Sequence, residues 1–128
     1  MNYKIIGSTA SCTVLGLALV ILCFRVGQSA EVHAMNIAVL VFGASSGWLA
    51  GILLSPYDPK EASNFPRYAA AVSAFASGYL VSKVDRVLEE VLKPEFLFSP
   101  VPGFRLLAGL SGFAITLIVT YVYRAYGR

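Results

Sequence analysis

Charge is what this sequence has least of. Lys, Arg, Asp and Glu make up 13% of the 128 residues, where a soluble globular chain carries about 25%. Three long stretches, 5–24, 34–54 and 106–123, contain none at all and run 20, 21 and 18 residues. A helix rises about 1.5 Å per residue and the hydrocarbon core of a bilayer is about 30 Å thick, so each stretch is long enough to cross. With 57% hydrophobic residues and a mean hydropathy of +0.71, the composition excludes an ordinary soluble domain and points to an integral membrane protein.

Titratable chemistry is missing where a membrane enzyme or pump would need it. The single histidine, His33, precedes the second stretch with only Glu31 close by, which is no metal-ligand set. The aspartates, Asp58 and Asp85, fall at or beyond the membrane edges, so two facing catalytic acids are excluded. Ion-coupled carriers normally keep an acid or base at mid-membrane, and the three clear stretches have none. We therefore expect no enzyme activity, no metal and no cofactor. Cys12 and Cys23 are 11 residues apart in one helix, roughly 16 Å, too far for a disulfide.

Positive charge is slightly in excess, at +3, but the basic residues flank apolar segments. Their expected partner is the anionic lipid headgroup rather than nucleic acid. The ending "TYVYRAYGR" has the aromatic and basic character of a membrane interface. The first stretch has a basic residue before it and Val32-His33-Ala34 after it, as a signal peptide would. Its apolar run exceeds the usual 7–15 residues and Arg25 interrupts the approach, so it is read as a retained helix.

The expected architecture is all-α: a polytopic membrane helix bundle in a single domain, with helices at about 5–25, 34–54, 67–93 and 105–123. The loop "SPYDPKEASNFP" holds three of the six prolines, which predicts a break with one helical turn at Asp58–Glu61. The third helix is short in its uncharged part, 68–82, about 22 Å, and continues into an amphipathic stem. There Leu80, Val84, Val87 and Val91 form a coiled-coil-like stripe. Asp85, Arg86, Glu89 and Glu90 cover the other side, with Glu89 and Lys93 placed as an i,i+4 pair. Phe96, Phe98 and Phe104 are expected in the interface. Lys and Arg divide five against five for four crossings, and seven against three if the third helix only half-inserts. The small residues of the third helix favour four.

Glycine is the residue in conspicuous supply. "GASSGWLAG" places Gly43, Gly47 and Gly51 at i+4 spacing. No Lys or Arg lies between Arg25 and Lys60, which excludes a phosphate-cradling loop. In a membrane helix the stripe allows close backbone approach, where dispersion and hydrogen bonds drive association. Counterparts are Ala70, Ala74 and Gly78 in the third helix, Ala108 and Gly112 in the fourth, and in the first Gly7 with Ser11, and Ser8 with Cys12 and Gly16. These faces serve either internal packing or a homo-oligomer interface. Hydroxyls such as Ser45, Ser46, Thr116 and Thr120 bond their own helices or, around an oligomer axis, line a weakly selective pore. Trp48 is expected as a packing wedge.

No family motif stands out. In layout alone the chain resembles small phage holins and the compact membrane effectors of bacterial defence systems. That likeness implies a homo-oligomer in a bacterial inner membrane that forms or gates a permeability pathway. The alternative is a non-catalytic accessory or scaffold subunit that docks a protein partner through the 80–93 stem.

Overall fold

The computed structural model describes residues 3–56, 59–75 and 81–127, and among these every regular element is helical. In order they are α1 (Tyr3–Arg25), α2 (Ala30–Leu54), α3 (Pro59–Phe75), α4 (Val81–Val91), α5 (Pro94–Leu97) and α6 (Pro100–Tyr126). Three helices, α1, α2 and α6, are long and apolar enough to cross a membrane. They identify an integral membrane protein.

The helix ends follow local chemistry. Gly27, at φ +99°, takes the left-handed conformation that turns α1 toward α2, and a Cβ there would strike Val32. Ser29 then caps α2, its hydroxyl accepting from the Val32 N–H at 3.3 Å. The helix thus starts at Ala30, four residues before the apolar stretch begins. α6 starts at Pro100 rather than near 105, because the first helical N–H groups have no intrahelical partner and a proline there costs nothing.

The third hydrophobic segment differs most from the expectation. Helix begins at Pro59 and continues through Pro66 to Phe75, so the proline-rich stretch does not break it. Pro66 withholds one hydrogen bond, from the carbonyl of residue 62, and it lies exposed, where solvent or headgroups can satisfy that oxygen. The described part of the stem is α4, and residues 76–80, between it and α3, lie outside those described. Among the described residues no fourth helix is long and apolar enough to cross a membrane.

The core is the pairing of α2 with α6, with α1 laid more loosely across both. The two run parallel: Asn36 meets Arg105, Ala44 meets Thr116, and Ser55 meets Arg124. α1 runs antiparallel to them, with Thr9 beside Tyr123 at one end and Cys23 beside Asn36 at the other. Among the described residues only two larger side chains, Cys23 and Asn36, are fully buried. Large apolar groups point outward instead, Phe42 at 75% exposure and Leu15 at 55% among them. In water such a surface would aggregate; in lipid it is the stable arrangement, since nothing is gained by hiding apolar groups from hydrocarbon.

Candidate functional site

The interface between α2 and α6 is built from absent side chains. Gly43, Gly47 and Gly51 are all buried on one face of α2. A Cβ at 43 would run into the backbone of Gly109, and one at 47 into the Phe113 carbonyl and the Thr116 hydroxyl. At 51 it would come within 2.7 Å of Thr120 Cβ. From the other side Ala108 and Gly112 are buried on α6, and a Cβ at 112 would lie 2.9 Å from Leu40 Cδ1. The backbones are therefore in near contact over about three turns. Thr116 adds a bond across the gap, its hydroxyl donating to the Ala44 carbonyl at 2.7 Å.

The other predicted faces lie elsewhere. Ala70 and Ala74 are exposed on α3, which has no extensive contact with α1, α2 or α6 among the described residues. Gly78 and Leu80 lie outside the described residues. On α1 a Cβ at Gly7 or Gly16 would meet nothing within 4 Å. Thr9, Thr13, Ser45, Ser46 and Thr120 donate to carbonyls of their own helices. Trp48 is not a wedge: the gap at Gly47 has no room for an indole, and the ring lies 59% exposed at the rim, near Thr120 and Arg124.

The stem is on the outside of the molecule. Along α4, Asp85, Arg86, Val87, Glu89 and Glu90 are exposed, Val91 is half-buried, and Val84 falls on the same helix. Leu88 and Leu92 are exposed as well, so among the described side chains the apolar ones here, Val91 apart, are uncovered by the rest of the chain. Lys93 pairs with Glu90 at 2.7 Å, at i,i+3, rather than with Glu89. Both partners are exposed, and the pair contributes little. α5 turns the chain onto α6, where Gly103 accommodates the Leu97 carbonyl. Phe98 is exposed and Phe96 and Phe104 are half-buried.

The sequence reading missed one cluster. Asn36, fully buried, donates from Nδ2 to the carbonyls of Cys23 (3.2 Å) and Val26 (2.9 Å) at the C-terminal end of α1. Its Oδ1 accepts from Arg105 Nε at 3.1 Å. One amide thus caps α1 and fastens it to α6. At the opposite end of the core, Arg124 Nε donates to the Ser55 carbonyl at 2.7 Å and caps α2 in the same manner. The signal was available, because Asn36 is the lone amide side chain inside the three uncharged stretches, and a buried amide has to find partners. His33 packs edge-on to Phe24 and lies 3.2 Å from the Gly27 carbonyl, tied to the turn.

Among the described residues no three His, Cys, Asp or Glu side chains gather at metal-binding distance. No protein-family model, no curated protein and no solved structure matches the chain.

Proposed function

We propose that this is a non-catalytic membrane subunit that works by association. The α2–α6 pair is its rigid scaffold, and the segment from α3 to α5, with α4 at its centre, meets a protein partner. The observation that carries this reading is a contrast. The small-residue faces of α2 and α6 are occupied by each other, while the described apolar side chains Val87, Leu88 and Leu92 at α4 are exposed.

The same arrangement supports four crossings rather than three. Two spanning helices that run parallel start on the same side of the bilayer. The chain leaving α2 at Ser55 is at the Arg124 end of α6, and it must reach Ser99 at the other end. Residues 55–99 therefore recross. Residues 68–82 carry no charge, and Arg67 and Lys83 bracket them with side chains long enough to snorkel from a short span. To test this, Cys12 and Cys23 are changed to alanine and single reporters introduced as Lys60→Cys and Glu95→Cys. An impermeant maleimide applied from one side labels one reporter only; labelling of both refutes the fourth crossing. The likeness in layout to holins supports a bacterial inner membrane as the location.

A homo-oligomer that forms a permeability pathway is the second reading, and α1 is what favours it. Its Gly7 and Ser11, four residues apart on one face, are exposed, and a Cβ at Gly7 would meet nothing within 4 Å, so a second copy has a face to pack on. The two readings separate by mass in nanodiscs and by a photo-crosslinker at position 88. An assembly of four or more chains that Gly7→Leu dissociates, with membrane depolarisation on expression, supports the pore. A monomer whose position-88 adduct is lost in Val87→Glu, with unchanged helicity, supports the docking subunit.

A further inference from the structure

Arg105 is held in a way that prepares it for a ligand. Its Nε donates inward to Asn36 Oδ1, and Asn36 is itself fully buried and fixed by two carbonyls of α1. That leaves four of the five guanidinium N–H donors, on the two Nη atoms, with no acceptor and no acid partner among the described residues. The residue is only half-buried, so the fork reaches the exterior. Its depth is set by α6. The uncharged stretch 106–123 lies between Arg105 and Arg124 and spans about 27 Å, close to the hydrocarbon thickness. Arg105 therefore sits at the level where acyl chains give way to phosphates.

Directly beneath it, on the outer face of the α2–α6 pair, runs an open groove of about 270 Å³. Gly43 and Gly109 form its floor, and Phe42, Ser46, Leu110 and Phe113 its walls. The lining is almost wholly apolar and offers little to a free phosphate or a polar solute. A guanidinium fork at headgroup depth, leading into an apolar groove, matches one chemistry: a phosphate with a hydrocarbon tail attached.

We infer that Arg105 and this groove bind one anionic phospholipid, with the phosphate on the Arg105 Nη pair and an acyl chain along Gly43 and Gly109. The preference for an anionic lipid follows from the unneutralised guanidinium, and the bidentate geometry is that of arginine with phosphate generally. The site needs only that the protein is embedded in a membrane, and it holds whether the protein docks a partner or assembles a pore.

The test is lipid retention by native mass spectrometry of the full chain, released from nanodiscs of equal phosphatidylglycerol and phosphatidylcholine. Wild type retains one phosphatidylglycerol with a preference of about tenfold, the scale of one charge-assisted contact. Arg105→Gln, whose amide still reaches Asn36, brings the preference close to one. Ser46→Phe fills the groove, keeps the guanidinium, and loses the bound lipid. Arg124→Gln, at the other membrane edge, retains it. Circular dichroism of each variant checks that the helices persist. Equal retention of both lipids by wild type, or a preference that survives Arg105→Gln in folded protein, overturns the site. Displacement of the lipid by glycerol phosphate as readily as by phosphatidylglycerol overturns the acyl-chain half and leaves a phosphate site. No retained lipid in any variant means that protein fills the groove, and overturns the proposal outright.

Discussion

Adding a single methyl group at Gly47 tests the core most directly. A Cβ built there falls far inside contact distance of the Phe113 carbonyl oxygen and the Thr116 hydroxyl, and 2.7 Å from the Phe113 carbonyl carbon. Restoring ordinary contact moves the two backbones apart by roughly 1 Å, and a gap of that size forfeits about a quarter to a half of each dispersion contact along the seam. It also stretches the hydroxyl bridge from Thr116 to Ala44, a bond of about 0.6–1.7 kcal/mol in a membrane interior. Overpacking costs about 1–3 kcal/mol in general, and alanine returns at most about 1 kcal/mol in helix propensity. Gly47→Ala should therefore destabilise by about 1–3 kcal/mol, and Gly47→Leu by more. The control is the same chemical change at Gly16, where a Cβ meets nothing within 4 Å and no loss is expected. Reversible unfolding in mixed micelles measures both, with mass recorded alongside. Equal effects at 47 and 16 would refute the backbone seam. So would a Gly47→Ala protein of unchanged stability whose mass falls from oligomer to monomer, which would put the stripe between chains.

Two further substitutions probe the polar contacts. Asn36→Leu leaves the Cys23 and Val26 carbonyls without their side-chain donor and frees Arg105 Nε, a loss of about 1–3 kcal/mol. It should raise maleimide labelling of the buried Cys23 relative to Cys12; an unchanged ratio would mean that α1 stays in place without the amide. Thr116→Val keeps the shape and removes the hydroxyl bridge, so its cost should be near 0.6 kcal/mol. A loss above about 2 kcal/mol would exceed any single bond of this class and assign Thr116 a packing role instead.

Much of this was legible in the sequence, and the residues show where legibility stopped. The three uncharged stretches announced α1, α2 and α6, because a missing charge over 18 or more residues has few other meanings. The i+4 glycines announced a packing face. Which face met which did not follow, since α1 and α3 carry small residues at the same spacing, and spacing does not rank partners. In the sequence Asn36 is one amide in an apolar run, and Arg105 is one basic residue at the edge of another. Both acquire their role from a residue 69 positions away. Pro59 marks a helical start as expected, whereas Pro66 misled in the other direction. Proline is a breaker when it interrupts a packed helix interior, whereas α3 starts on the first and carries the second exposed.

The distance along the chain between α2 and α6 has a consequence for how the molecule is made. Thr116 and Ala44, joined across the tightest seam, are 72 residues apart, and synthesis at about 5–20 residues per second takes roughly 4 to 14 s to cover that interval. For all of that time α2 is in the bilayer with its glycine face bare, a newborn helix waiting for a mate that has not yet been translated. The seam between α2 and α6 therefore closes only once the last helix of the core has been made.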